Sequence, residues 1–436
     1  MEFNAVIFCG NGHNLIPLTA PGEYRTSKAL LPVANKPLIE YVLEWCDQAP
    51  FKSVNIITDV LNEYQIAEAL EQYQKRRDGD LKNSSPIKLL TSELKTTGGI
   101  LSELFPHKNE ENYVILPCDF ITDVPPQVFI EIYRGNSDEN IGLSIFYSNK
   151  FETIDKKVLK SNYTVYSTQD NGNTVLLDLY SKDFVMIDKF LKIRTQLLWK
   201  YPSTSVSSKL LDSFIFFMNY KCLKDNSVEI DNRSLYKIKR DLARDSWKHS
   251  KNKETIGMFA LDKNALFARI DNLAVYMEMN RHFLKMHARS NKSGNSSVGA
   301  DCIVGDDIII GDKSTVKRSV VGKNVNLGKK CRVSGSILLE GVTIGDGVVL
   351  ENCILGRGVN VGNQSKLVNC YIEGGYNVNR GADIKGETLR NMTLGEISDG
   401  DVFYESSEES NDSNDESEYD DEGFEEEEYD DDIFAR

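Results

Sequence analysis

The stretch Ile337-Leu338-Leu339-Glu340-Gly341-Val342-Thr343-Ile344-Gly345-Asp346-Gly347-Val348-Val349-Leu350-Glu351-Asn352-Cys353 is one turn of a repeating pattern, and it decides the fold of the C-terminal part of the chain. Leu338, Ile344 and Leu350 stand six residues apart, and the next aliphatic residue of the series, Leu355, follows after five. The same 17-residue step links Val304, Val321, Leu338, Leu355 and Ile372. It also links Ile310, Leu327, Ile344, Val361 and Val378, and Val316, Val333, Leu350, Leu367 and Ile384. Three short sides therefore make one coil, and stacking the coils sets each inward aliphatic residue about 4.8 Å from its counterpart. Glycine, as at Gly311 and Gly345, allows the tight corners. The pattern predicts a parallel β-helix over residues 299–403, with Leu389 to Phe403 as the cap of its open end. Cys302, Ser319, Ser336, Cys353 and Cys370 form a further column on the same step. Small side chains suit the inside of a narrow prism, and no histidine joins them, so packing and not a metal is the reading.

On the N-terminal side of the repeats, Ser290 to Ser297 is rich in Ser, Asn and Gly and is the hinge candidate. Before it, apolar strands alternate with helical spacing. Val6 to Cys9, Val54 to Thr58, Ile87 to Leu90 and Tyr113 to Leu116 read as strands; Leu38 to Ala49, Leu61 to Lys75 and Gly99 to Leu104 read as helices. This alternation predicts a parallel, doubly wound sheet. Further on, Thr174 to Leu179, Phe184 to Met186, Ser213 to Met218 and Ile256 to Leu261 read as strands. Arg194 to Lys200, Ser234 to Arg244 and Asp271 to His287 read as helices. The resulting division is 1–289, a linker 290–298, the β-helix 299–403 and a tail 404–436.

The tail explains the charge. Glu405 to Asp432 holds 17 acidic residues and no basic one, so removing the tail, with its Arg436, turns the formal charge of −15 into +1 for the body. Net charge therefore gives no sign of nucleic-acid binding. The tail cannot bury a core and is expected to be disordered. Ser406, Ser407, Ser410, Ser413 and Ser417, set among acids, are candidates for phosphorylation, against a merely solubilising role. The eight cysteines form no C-x-x-C pair, which disfavours zinc modules and disulfide scaffolds. No leader or spanning segment is apparent at Met1-Glu2-Phe3 or in the short run Phe214 to Met218, and a cytoplasmic home is expected.

Chemistry concentrates in Val6 to Pro37. A strand opens into Gly10-Asn11-Gly12, where glycines let the backbone approach a phosphate, and Lys28 downstream supplies a positive charge. Asp119 follows the fourth strand, so Gly10 and Asp119 both fall beyond the carboxyl ends of strands, where such sheets bind ligands. On residue type alone, Lys28 is equally a solvated loop lysine and Asp119 a turn cap.

A doubly wound nucleotide domain followed by hexapeptide repeats resembles the sugar-nucleotidyltransferase superfamily, whose repeats form a left-handed parallel β-helix. Leu30 to Val33 with Asn35 to Ile39, Cys118 to Val124, Tyr276 to Arg281 and Lys313 to Val320 look like the family of gamma subunits of eukaryotic translation initiation factor 2B. The resemblance spans residues 1 to about 403. It matches Lys28 to the phosphate-contacting lysine, Gly98 and Gly99 to the base-side loop, Asp119 to the magnesium-holding aspartate, and Gly10 and Gly12 to the phosphate loop. Active members follow the glycines with Thr-Arg-Leu; here the positions read His13-Asn14-Leu15, and Asn14 brings no cation. Positioned cations are the protein's main contribution to a phosphoryl-type transition state.

The resemblance thus implies a vestigial pocket, no catalytic or metal residues and no cofactor, with weak nucleotide binding left open. It implies a non-catalytic subunit of the guanine-nucleotide exchange factor that recharges the initiation factor 2 GTPase. Its partners would be a catalytic epsilon subunit, alpha, beta and delta subunits in a decamer, and that GTPase, with no membrane or direct nucleic-acid partner. An active sugar-nucleotide pyrophosphorylase and a nucleotide-sensing regulatory subunit are the alternatives.

Overall fold

The computed structural model describes residues 2–80, 85–104, 112–136, 140–155, 158–159, 161–169, 172–219, 233–248, 255–290 and 298–391. Most of the hinge candidate, the cap from 392 onward and the acidic tail lie outside them. Residues 1–392 fold as one compact unit.

The first part is built on β1 (Phe3–Phe8), β2 (Pro32–Val33), β3 (Lys36–Pro37), β4 (Ser53–Thr58), β5 (Ile87–Thr91), β6 (Asn112–Pro117) and β7 (Phe120–Thr122). Helices α1 (Leu38–Asp47), α2 (Glu63–Asp80), α3 (Thr97–Leu104) and α4 (Pro126–Asn136) lie between or after them. There follow β8 (Asn140–Ser148), β9 (Tyr163–Thr168), β10 (Thr174–Tyr180), α5 (Lys182–Asp188), α6 (Thr195–Lys200), β11 (Thr204–Ser207) and β12 (Leu210–Asn219). Helix α7 (Leu235–Lys248), β13 (Thr255–Ala260), β14 (Phe267–Arg269) and α8 (Leu273–Ser290) complete the part.

Ten of these strands form one sheet in the order β11-β9-β10-β13-β8-β12-β6-β1-β4-β5. The four strands expected from the first alternation, β1, β4, β5 and β6, are mutually parallel as expected. Beyond β6 the sheet turns mixed: β12 runs antiparallel to β6 and β8, and β10 antiparallel to β9 and β13. Strand β1 is buried on both faces. Phe3, Ala5 and Ile7 pack with Ile39, Val42 and Phe129 of α1 and α4, while Val6 packs with Leu101 of α3 and Ile238 of α7. That two-sided cover is why the strand reads as an unbroken apolar run.

One expected strand is a helix. Phe184 to Met186 lies inside α5. None of its residues is fully buried, so a three-residue apolar run carried no strand period there.

In the second part the 17-residue step is a spatial register. Three ladders run up the stack, and every neighbour is parallel and offset by 17, as in Val316↔Val333, Leu327↔Ile344 and Leu338↔Leu355. Leu338, Leu350, Leu355, Leu367 and Ile372 are fully buried inside the coils, whereas Val304, in the first described coil, is 40% exposed. Gly311 is obligatory on steric grounds, because a Cβ there would sit 2.5 Å from the Gly328 backbone of the next coil. The small-residue column is buried and satisfied: Ser319 Oγ accepts from Ser336 N–H, and Ser336 Oγ from Cys353 N–H. Leu389 belongs to the last strand of the stack, Thr388–Leu389, and not to a cap.

One outer face of the β-helix is also apolar. Val320, Ile337 and Ile354 point away from the coil interior yet are buried, packed with Leu15, Leu31, Val33, Tyr276 and Met279. The hairpin β2–β3 clinches this junction. Its two central residues, Ala34 and Asn35, both have positive φ, as a two-residue hairpin of this twist requires. Asn35 Nδ2 donates to Val321 O at 2.8 Å, and Ala34 N–H donates to Asn280 Oδ1 at 2.9 Å.

Candidate functional site

The carboxyl ends of β1, β4 and β6 meet at one edge of the sheet. Cys9 N–H donates to Ile57 O and Cys118 N–H to Phe8 O, which brings the segments after β1 and β6 side by side. The glycine turn follows at once. Gly12 has φ +73°, and a Cβ there would sit 3.0 Å from Lys28 Cβ and 3.1 Å from Thr19 Cγ2. Its glycine is required by both backbone and space. Thr19 Oγ1 donates to Gly12 O at 2.7 Å and fixes the turn. Gly10 has nothing within 4 Å of the place its Cβ would take, so its surface is open. His13 and Asn14, in the 3-10 turn that follows, are exposed.

Lys28 folds back from a second 3-10 turn, Lys28–Leu30, into this edge. Its Nζ lies 2.6 Å from Asp119 Oδ2, with the lysine side chain 12% exposed and the aspartate fully buried. The solvated-lysine reading is therefore wrong. Arg269, from β14, completes the cluster: its Nε donates to Asp119 Oδ1 and its Nη2 to Asp119 Oδ2, each at 3.3 Å. The guanidinium also covers the Phe214 ring at 4.9 Å. Burial alone would raise the Asp119 carboxyl, but Arg269 and Lys28 outweigh it and hold the group well below its ordinary range. Burial lowers Lys28 and Arg269, and Asp119 more than restores both. Beneath the cluster, a hydrogen bond with Cys118 together with burial pushes the Cys9 thiol up.

Both oxygens of Asp119 are thus occupied by protein cations. A carboxylate oxygen keeps a second lone pair, so a magnesium held by Asp119 would have to share the carboxylate with Lys28 and Arg269. Gly98 and Gly99 lie in the first turn of α3. Gly98 N–H is taken by Arg233 O at 2.9 Å and Gly99 N–H by Thr96 Oγ1 at 3.3 Å. Both glycine amides are thus bonded within the protein.

The structure therefore brings Gly12, Lys28 and Asp119 together, places Gly10 beside them, and sets Gly98 and Gly99 on a neighbouring element. Sequence reasoning missed Arg269. It stands 150 residues from Asp119, and nothing local marks it. Only the pairing of β14 with β7, Arg269 opposite Phe120, delivers it.

Comparisons with known proteins agree with this architecture. Residues 4–152 match the family model described as nucleotidyl transferase, and residues 281–387 match that of the EIF2B subunit epsilon LbH domain. Translation initiation factor eIF2B subunit gamma of Schizosaccharomyces pombe is 28% identical over 351 residues, 72% of this chain and 74% of that protein. The epsilon subunit of the same factor in Dictyostelium discoideum is 21% identical over 315 residues. That match covers 67% of this chain and 43% of the relative, so the chain spans less than half of the epsilon protein's length. The resemblance to initiation factor 2B subunits, and the two-part fold it implied, are borne out. Among the described residues, no helix is long and apolar enough to cross a membrane.

Proposed function

We propose that this chain is a gamma-type, non-catalytic subunit of initiation factor 2B, working with an epsilon-type partner to exchange GDP for GTP on the initiation factor 2 GTPase. The observation that carries the non-catalytic half is the closed cluster of Lys28, Asp119 and Arg269. Nucleotidyl transfer needs cations aimed at departing phosphates and a carboxylate aimed at a metal. Here Lys28 and Arg269 are both directed at the Asp119 carboxylate, and Asn14 supplies no further cation. The pocket is a structural core that holds β6, β14 and the Lys28 turn together.

The gamma and epsilon relatives support membership of initiation factor 2B, and the exchange role is what the resemblance to that family implies. In this reading the chain's part is positional: a firmly joined pair of folds helps hold the GTPase while the partner loosens GDP. The assembly would be a decamer with alpha, beta and delta subunits, in the cytosol. Gly10, Gly12, Lys28, Gly98, Gly99 and Asp119 would line a vestigial nucleotide pocket.

Two experiments test this. Tagged full-length chain purified from its own cells should bring down the initiation factor subunits; their absence overturns the assignment. Incubation with magnesium, GTP and mannose 1-phosphate should release no pyrophosphate above background. Steady release abolished by Lys28→Ala and Asp119→Ala would establish the pyrophosphorylase instead.

A further inference from the structure

Charge is not spread evenly over the outside of the β-helix. Near the N-terminal end of the stack, the strands Thr315–Lys317 and Arg332–Ser334 pair in register, Thr315 opposite Arg332 and Lys317 opposite Ser334. Val316 and Val333 between them are buried, so their neighbours stand on the outer face. The two stretches that build this face, 312–318 and 329–335, carry Lys313, Lys317, Arg318, Lys329, Lys330 and Arg332, all exposed, against a single acid, Asp312. Among the described residues none of the six makes an ion pair; Arg318 Nη2 donates to the neutral Ser334 Oγ at 3.4 Å. A surface kept only for solubility intersperses the two signs, whereas a one-sign field draws in the opposite charge. The body's net charge of +1 hides this face, because acids elsewhere offset it. The side of the β-helix that meets the sheet part is another one, lined by Val320, Ile337 and Ile354.

What the face lacks decides its partner. The outward residues of the two strands are Thr315, Lys317, Arg332 and Ser334, with no aromatic or large aliphatic side chain among them. Protein partners dock through aromatic and apolar anchors and seldom through lysine, yet four of the six cations are lysines. Single-stranded nucleic acid is held on aromatic platforms where its bases stack. A duplex backbone needs neither, only closely set cations and hydroxyls.

We infer that this face of the β-helix binds the phosphate backbone of double-stranded RNA, without reading its sequence. The choice of RNA over DNA rests on the initiation-factor reading above. The cations meet phosphates, and the Thr315 and Ser334 hydroxyls between them meet phosphate or the ribose 2′-hydroxyl that DNA lacks.

The test titrates the full chain into a labelled RNA duplex of about 20 base pairs, longer than the ~16 that a double-strand-binding domain covers. Affinity of the wild type should fall with salt at a log–log slope of about −5, as five or six phosphate contacts require. The triple variant Lys313→Glu, Lys317→Glu and Lys330→Glu should bind at least about 30-fold more weakly, with a slope shallower by about 3. Lys385→Glu, at an exposed lysine in the column of Lys317 but about 19 Å along the stack, should bind as wild type does. Equal binding by the triple variant, or none by the wild type, overturns this face as an RNA site. Either result leaves the initiation-factor reading standing, since co-purification of the subunits tests that separately. Binding at least as tight to the same duplex made of DNA overturns the choice of RNA. Carbodiimide joins a lysine directly to a carboxylate; if it couples these lysines to 405–432 in the full chain and RNA does not prevent it, the chain's own acids hold the face and the inference fails. Should the triple variant not fold, lysine acetylation of the wild type decides: RNA should protect Lys313, Lys317 and Lys330 and leave Lys385 reactive, and unchanged labelling refutes the site.

Discussion

Replacing Asp119 with asparagine removes the anion that pairs directly with two largely buried cations, Lys28 and Arg269. Breaking such a group strands the survivors in a poorly solvated site, at a cost of about 3–5 kcal/mol. Asp119→Asn should lower stability by that amount at pH 7, read by denaturant unfolding. Because the folded-state carboxyl titrates below its ordinary value of 3.8, its contribution is complete above that pH and is lost as pH falls below it. The gap between wild type and variant should therefore stay constant from pH 7 to 5 and narrow below about 4. A gap that widens on acidification would contradict the cluster. Asn14→Arg tests the same residues from the other side. Restoring the superfamily's cation should not restore pyrophosphate release while Arg269 and Lys28 hold Asp119. Lys28, Asp119 and Asn14 could be singled out in the sequence because a local motif surrounds each, but Arg269 could not, since β-pairing alone brings it in.

At the scale of elements, the β-helix was the most legible part of the chain, because one inward residue per side repeats with a fixed step. Leu350→Ala, inside the stack, should cost about 2–5 kcal/mol, whereas Val304→Ala, in the half-exposed first coil, should cost under about 1 kcal/mol. Similar losses at both sites would mean that the first coil is covered. The same simplicity failed for α5, a short apolar run at the rim of a sheet, where exposure and not burial sets the pattern. Nor did the repeat reveal which side of the β-helix is covered. Val320, Ile337 and Ile354 show it only when placed against Leu31 and Val33.

The whole molecule is joined by that covered side. Asn280→Ala removes the acceptor of Ala34 N–H and a bond to Tyr276 O, and should destabilise by about 1–3 kcal/mol. Since the junction shares one apolar cluster, calorimetry of the full chain should show the sheet part and the β-helix melting in a single transition. Two resolved transitions would mean that the junction carries little energy. Val6 to Pro37 thus has two uses here. Lys28 joins the closed cluster, and the hairpin with Asn35 that follows it clasps the β-helix. The most direct test of the proposed role is the rate of GDP release from the initiation factor 2 GTPase by the epsilon-type subunit, measured with and without this chain. Release should accelerate when the chain is added; a rate unchanged at saturating chain would contradict the account.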